Sequence, residues 1–151
     1  MEPTNFDQVF IALDIYDVLA AAEADKTSSP LFQAYGMVVE FPLEGESKPT
    51  RHYVYPFVKE FLQLATATPG MHIAFFTSSE ERLTIPFTRQ LLKSSLGQEK
   101  YAEVADKIKV LARSSLRTRA SYKDDFPDYK KYQMYSGENC GSPKQVVIFG
   151  L

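Results

Sequence analysis

Three short apolar runs dominate the sequence, and they limit the folds that it can adopt. The first is Gln8 to Ile15, the second is His72 to Phe76, and the third is Gln145 to Leu151. Each run is apolar at consecutive positions instead of alternate ones, which is typical of strands in a parallel sheet that is covered on both faces. Helical patterns separate the first two runs. We therefore predict an α/β domain with a mostly parallel central sheet.

The helices and a hairpin are predicted from shorter patterns. Phe57 to Ala67 has apolar residues at helical spacing, with Phe57, Phe61 and Leu64 on one face and Val58, Leu62 and Ala65 beside it. A second helix, with Leu91 and Leu92 facing inward, should end at Gly97. Met37 to Phe41 and His52 to Tyr55 flank the polar segment Glu44-Gly45-Glu46 and predict a β-hairpin. Ile108 to Ala112 is a further strand candidate, and a helix is predicted around Asp128 to Met134.

Polar residues follow two of the apolar runs. Asp14 comes at the end of the first run, and Thr77, Ser78 and Ser79 directly follow the second. Because ligands bind at the carboxyl ends of strands in open parallel sheets, we expect Asp14, Thr77 and the Gly150-Leu151 end to share one edge.

Composition narrows the classes of protein. With 151 residues, of which 44% are hydrophobic, the chain suits one domain over residues 1–151, which a longer protein could contain. A formal charge of −2 gives no field that favours nucleic acid. Cys140 is the only cysteine, so the chain has no internal disulfide. No apolar run is long enough for a membrane span, and no signal peptide is recognised, so we expect a cytoplasmic protein.

The polar motifs, in their order, resemble those of the haloacid dehalogenase superfamily. LDIYDVL, around Asp14, is similar to the first motif, Asp-x-Asp-x-Thr/Val-Leu; FTSS, with Thr77, is similar to the second; and YKDDF, with Lys123, is similar to the third. The likeness is greatest to the phosphatases related to those that act on the polymerase carboxy-terminal domain. In that branch a hairpin follows the first motif, and a helix that begins like Tyr55 to Leu62 comes next.

The resemblance implies a fold and a set of roles. The fold would be a three-layer (Rossmannoid) domain with a small hairpin insertion, about residues 36–56, in place of a large cap. Asp14 would be the nucleophile that forms an aspartyl-phosphate, Thr77 would contact the phosphate, and Lys123 would balance its charge. We expect Tyr16, Ser78 and Ser79 to contact substrate. Mg²⁺ would be held by Asp14, by a backbone carbonyl two residues later and by an acid after the third strand.

The sequence departs from the family pattern in two places. Tyr16 replaces the second Asp of the first motif, which serves as the general acid and base, and such a loss typically costs ~10²- to 10⁴-fold in rate. Asp17 cannot substitute, because an offset of one residue turns a side chain to the opposite face of an extended segment. At the second departure, Gly150 or Leu151 stands where the family has an acid. Mg²⁺ binding is therefore expected to be weak if the chain ends there.

Three functions remain open at this stage. The first is a phosphatase that acts on a phosphoprotein. The second is an inactive pseudophosphatase that binds a protein partner through the pocket and a tyrosine-rich surface containing Tyr122, Tyr129, Tyr132 and Tyr135. The third is a metal-free dehalogenase-like hydrolase, since the true dehalogenases carry Asp-x-Tyr in the first motif.

Each motif also has a purely structural interpretation. Asp14 could cap a turn, and Thr77 to Ser79 could cap a helix. His52 and His72 lack metal-ligand spacing and are interpreted as structural.

Overall fold

A four-stranded parallel sheet forms the centre of the molecule. The computed structural model describes residues 8–115 and 145–149. Within them the sheet contains β1 (Val9–Asp14), β5 (Met71–Phe76), β6 (Lys109–Leu111) and β7 (Gln145–Phe149). Strands β2 (Ala20–Ala21), β3 (Met37–Phe41) and β4 (Thr50–Val54) form a second sheet. The strand order is β6-β5-β1-β7, and every pairing is parallel. The predicted α/β class and parallel sheet are confirmed.

The position of β1 in this order decides where a ligand can bind. From β1 the chain proceeds to β5 and β6 on one side, and it then returns to add β7 on the other side. The order of strands thus reverses at β1. In open α/β sheets the crevice for a ligand lies at such a reversal, outside the carboxyl ends of the strands. Asp14 is the last residue of β1.

Among the described residues, two long helices lie in crossover connections of the sheet. They are α2 (Val58–Ala67), before β5, and α3 (Glu81–Leu96), before β6. Crossovers of this kind are right-handed, so two that proceed in the same direction place their helices on one face of the sheet. The contact between α2 and α3 agrees with this placement. α4 (Gln98–Val104) follows directly after Gly97, whose φ of 83° ends α3 as predicted.

The buried face of α2 differs from the predicted one. We expected an apolar surface with Phe57, Phe61 and Leu64 on one face and Val58, Leu62 and Ala65 beside it, but Leu64 is 68% exposed and Phe57 is 48% exposed. Val58, Leu62 and Ala65 are the residues that α2 buries. Both sets have helical spacing, so the pattern alone did not distinguish them. Contact with β5 and α3 selects the second set.

A separate antiparallel sheet contains the predicted hairpin. Its strands are β2 (Ala20–Ala21), β3 (Met37–Phe41) and β4 (Thr50–Val54), in the order β2-β4-β3, and the short helix α1 (Pro30–Tyr35) precedes β3. The turn between β3 and β4 contains Gly45, whose φ of 84° suits glycine. This sheet is part of the main core, because β3 packs against α3 and the inner residues of both strands are buried.

Several predictions fall outside the described residues. These are Lys123, the helix around Asp128 to Met134, the tyrosine-rich surface and the Gly150-Leu151 end. The connection from β6 to β7 also falls outside, so the third layer stays a prediction. None of the described helices has the length and apolar character needed to cross a membrane.

Candidate active site

The first and second motifs meet at neighbouring strand ends. Asp14 pairs with Phe76 in the parallel register of β1 and β5, and Thr77 is the next residue after Phe76. Adjacent strands are about 4.8 Å apart. Asp14 and Thr77 are 63 positions apart in the chain, but they are neighbours at one edge of the sheet. We call this edge, which comprises residues 14–17 and 77–79, the carboxyl edge.

The Asp14 carboxylate lies in a partly buried position. Its Oδ1 accepts a hydrogen bond of 2.8 Å from the backbone N–H of Ile15. Burial raises the pKa of Asp14 above its ordinary value, the Ile15 N–H opposes the shift, and the charge of Asp17 adds to it. Asp17 itself is exposed and adopts a left-handed conformation with a φ of 63°, so the chain turns sharply after Tyr16.

The hydroxyl loop after β5 is held in place by its own hydrogen bonds. Thr77 is buried, and its N–H donates to the carbonyl of Leu111, the last residue of β6, over 3.0 Å. Its Oγ1 accepts from the N–H of Ser79 at 3.2 Å. That oxygen keeps its own proton, which it can donate to an anion. Ser78 is exposed and Ser79 is half-buried.

Arg113 is a cation at this edge that the sequence analysis did not identify. Its Nε donates to the carbonyl of Ser78 at 2.9 Å, and its guanidinium binds the carboxylate of Glu80 at 2.9 Å. Its backbone N–H donates to the carbonyl of Ser79. The signal was available, because Arg113 comes two residues after β6 and so lies at the carboxyl end of a third parallel strand.

A second pair of hydrogen bonds anchors the start of α3. Ser114 binds the carboxylate of Glu81, its N–H donating over 2.7 Å, and these hydrogen bonds are the main reason why the pKa of Glu81 is lowered. Together with Arg113, this contact ties the loop after β6 to the loop after β5. The carboxyl edge is therefore fixed from three strands.

Tyr16 contacts a buried histidine. The Tyr16 hydroxyl lies 2.8 Å from Nε2 of His52, a residue of β4 that is 2% exposed. Nδ1 of His52 lies 2.8 Å from the carbonyl of Arg51 and must donate to it, so Nε2 carries no proton and accepts from Tyr16. Burial lowers the pKa of His52, which keeps the imidazole neutral.

Tyr16 also touches the hydroxyl loop. Burial raises the pKa of Tyr16, and hydrogen bonding with the Ser79 side chain acts in the opposite direction. The phenolic group thus interacts with a half-buried serine of the carboxyl edge as well as with a buried imidazole. Sequence reasoning placed Tyr16 at the site and interpreted His52 as structural, because its spacing does not suit a metal ligand. It did not predict the contact between these two residues, which are 36 positions apart.

The carboxyl edge thus brings together Asp14, Tyr16 and the segment from Thr77 to Ser79, with Arg113 beside them. Lys123 and the Gly150-Leu151 end lie outside the described residues. Among residues 8–115 and 145–149, no group of three or more His, Cys, Asp or Glu side chains is placed to hold a metal ion. The edge thus combines the carboxylate of Asp14 with the hydroxyl groups of Thr77, Ser78 and Ser79.

A cleft occurs at the opposite end of the sheet. It has a volume of about 230 Å³ and lies where β5 and β6 begin, with Met71, Lys100, Glu103 and Lys107 in its lining. None of the predicted site residues lines this cleft.

Comparison with known proteins adds no family assignment, since no family model matches the chain and no curated protein shows significant similarity to it.

Proposed function

We propose that the chain is a phosphatase-like domain of the haloacid dehalogenase type, in which Asp14 takes a phosphoryl group from a phosphoprotein. One observation carries the proposal: the register of β1 and β5 puts the Asp14 carboxylate and the hydroxyl loop at adjacent strand ends, at the reversal of strand order. An aspartate alone at a strand end would favour a turn cap. An aspartate beside a fixed hydroxyl loop favours phosphoryl transfer.

The first chemical step needs few groups. A carboxylate oxygen of Asp14 forms a bond to phosphorus, and the bond from phosphorus to the leaving oxygen breaks, so the leaving group departs with the electron pair. The Thr77 hydroxyl and the backbone N–H of Ser78 supply donors for the equatorial phosphate oxygens, whereas the N–H groups of Thr77 and Ser79 already donate within the protein. Lys123 is proposed to add positive charge.

The presence of Tyr16 in place of the second Asp should affect the reaction of alkyl phosphates and that of aryl phosphates differently. An alkoxide such as that of serine is a poor leaving group and needs a proton, whereas a nitrophenolate is stable without one. We therefore expect aryl phosphates to phosphorylate Asp14 readily and phosphoserine peptides to do so slowly.

The described residues supply only part of the ligand set that Mg²⁺ would need. Asp14 supplies one carboxylate, and the resemblance assigns a second ligand to the backbone carbonyl of Tyr16. The third would come from acids after β7, where the chain has Gly150 and Leu151. Mg²⁺, when bound, would neutralise phosphate charge. The phosphoryl-transfer step that we propose for Asp14 and Thr77 is written without the metal ion.

The first test compares Asp14→Asn with wild type on p-nitrophenyl phosphate, in Mg²⁺ and in EDTA. Acid-quenched samples should contain a phosphorylated protein that hydroxylamine cleaves, as expected for an acyl phosphate. Asp14→Asn should abolish it and reduce phosphate release by roughly 10⁴- to 10⁶-fold, because a nucleophile is lost.

Asp17→Asn is the matched control. Asp17 is exposed three residues away, and asparagine accepts its left-handed backbone conformation. This variant should keep the phosphorylated species. Wild-type protein that forms no phosphorylated species on p-nitrophenyl phosphate would contradict the proposal.

An inactive binding module is the second candidate, and one observation favours it. The Tyr16 hydroxyl donates to His52, so it is not available as a proton donor to a leaving group. In that case the carboxyl edge would bind phosphorylated protein without turnover. Binding of a phosphopeptide that Asp14→Asn leaves intact, with no phosphoryl transfer in wild type, would support this function.

A further inference from the structure

One side of α3 carries three cations in a row. They are Arg82, Arg89 and Lys93, of which the two arginines are exposed and the lysine is half-buried. Successive residues of an α-helix are rotated by about 100°, so these three positions fall within about 40° of one another around the helix axis. We call these three residues the basic stripe.

The charges of the basic stripe are not neutralised by nearby acids. Among the residues that the structure describes, the two arginines form no salt bridge and no side-chain hydrogen bond. Lys93 lies over the ring of Tyr101, with Nζ 5.2 Å from the ring centroid, and this contact leaves its charge in place. Glu81, the acid on the first turn of α3, is turned about 100° away from the stripe and binds Ser114.

The basic stripe starts beside the proposed phosphate site. The helix α3 begins at Glu81, just after the hydroxyl loop that ends with Ser79, so Arg82 lies in the turn of the helix nearest to the carboxyl edge. At a rise of 1.5 Å per residue, Arg89 lies about 10 Å and Lys93 about 16 Å farther along the helix. The row of cations therefore leads away from the hydroxyl loop over the surface of the domain.

We propose that the basic stripe docks an acidic segment of the phosphoprotein that flanks the phosphorylated residue. The inference rests on the proposed function and specifies its substrate class, which is a phosphorylated site followed or preceded by several carboxylates. An extended peptide covers about 3.3 Å per residue, so about five residues would span the stripe. Ile85 lies between the two arginines in the chain and is 41% exposed, which offers an apolar contact to the same peptide.

An acidic peptide fits this surface better than a larger polyanion does. The chain has a formal charge of −2, so its overall field does not attract nucleic acid or an anionic membrane. Three cations within about 16 Å match a few carboxylates on a short segment. The guanidinium groups of Arg82 and Arg89 can each bind a carboxylate through two parallel hydrogen bonds.

The test compares two phosphotyrosine peptides that differ only in the residues on both sides of the phosphotyrosine. These flanking residues are glutamates in one peptide and glutamines in the other, and phosphotyrosine is used because aryl phosphates should react readily. The rate of Asp14 phosphorylation is measured by rapid quench at limiting peptide and low ionic strength. We expect the glutamate peptide to react roughly 5- to 50-fold faster, the combined effect of three exposed ion pairs. Added salt should reduce this preference, because it screens exposed charges.

Two double variants with the same change of charge locate the effect. Arg82→Gln/Arg89→Gln removes two cations of the basic stripe, and Lys48→Gln/Lys107→Gln removes two exposed cations elsewhere, one between β3 and β4 and one at the amino end of β6. The first variant should reduce the preference for the glutamate peptide to less than about threefold. The second should retain the wild-type preference.

The possible failures are distinguishable. Equal rates for the two peptides with wild-type protein, or an undiminished preference in Arg82→Gln/Arg89→Gln, would overturn the docking proposal and leave the proposed function intact. Binding of a uridine oligonucleotide or of a phosphatidylserine vesicle that exceeds binding of the glutamate peptide, and that the same variant loses, would also overturn it. Wild-type protein that forms no phosphorylated species with either peptide or with p-nitrophenyl phosphate would overturn the proposed function as well.

Discussion

The two ends of the central sheet contrast in shape and in chemistry. The carboxyl edge contains a carboxylate, hydroxyls and the half-buried Tyr16, which is hydrogen-bonded to the buried His52 of the hairpin. The amino end contains a cleft of about 230 Å³ in which exposed lysines and a glutamate surround apolar side chains. None of the predicted site residues lines this cleft. In this fold, strand order and register indicate the candidate site, because they determine which side chains meet.

The largest expected difference between the two ends is in the rate of Asp14 phosphorylation when a cation at each end is replaced by methionine. Arg113→Met removes the contacts to Ser78 and Glu80 that fix the hydroxyl loop. Displacement of a positioning group by about 1 Å can cost ~10²-fold, so we expect the rate of Asp14 phosphorylation to fall roughly 10- to 100-fold. Lys107→Met, in the lining of the cleft, should leave that rate unchanged.

Stability should respond much less to the same change. The ion pair between Arg113 and Glu80 is largely exposed, with side chains 61% and 59% accessible, so its loss should cost less than about 1 kcal/mol. Rates are measured by rapid quench and stability by urea unfolding. Equal rates for Arg113→Met and wild type would remove the functional contrast between the two ends.

The pH dependence of stability gives a smaller effect at the carboxyl edge. Burial raises the pKa of Asp14, so the folded protein binds this proton more tightly than the unfolded chain does. The associated stability is present below the ordinary value of 3.8 and is lost as the pH rises through the raised pKa. At pH 7 the Asp14→Asn protein should therefore melt at a higher temperature than wild type.

That gain should shrink as the pH falls through the raised pKa of Asp14 and should be absent below 3.8, where the carboxyl group is uncharged in both the folded and the unfolded chain. Thermal melts between pH 3 and pH 7 measure the difference in melting temperature between Asp14→Asn and wild type. Asp106→Asn, an exposed change at the amino end, should alter stability by no more than about 0.5 kcal/mol at any of these pH values. An equal gain in stability for Asp14→Asn and Asp106→Asn at pH 7 would show that burial of the Asp14 carboxylate does not destabilise the folded protein.

The smallest effect is expected in the cleft. Lys100 and Glu103 form an exposed ion pair of 3.2 Å on α4, and pairs of this kind contribute about 0.5 kcal/mol or less. Lys100→Gln should change the free energy of unfolding within that range, as measured in urea. A loss well above 1 kcal/mol would mean that the amino end is as organised as the carboxyl edge.

Local patterns were sufficient for the elements that support the site. The apolar runs around Ile11 and Ile73 predicted the parallel strands, because a strand buried on both faces must be apolar at consecutive positions. The hairpin bounds were close to those observed, since Gly45 and its acidic neighbours mark the turn. The placement of Asp14 and Thr77 at one edge follows from these strands alone.

Patterns were not sufficient where several elements meet. The helix α2 had two apolar stripes of similar quality, and only the position of β5 and α3 determined that Leu62 is buried and Leu64 is exposed. The short elements β2, α1 and α4 also lacked a distinct apolar signal.

Sequence alone therefore determined the class of fold and the edge at which Asp14 and the hydroxyl loop lie, because local apolar patterns identify buried parallel strands, and such strands end at one edge of their sheet. Tertiary structure decided the chemical setting of that edge. Tyr16 meets His52 across 36 positions, and Arg113 meets Ser78 across 35. These contacts depend on how the hairpin and the third strand pack against the first two. No residue spacing along a chain encodes the direction of a hydrogen bond between distant elements.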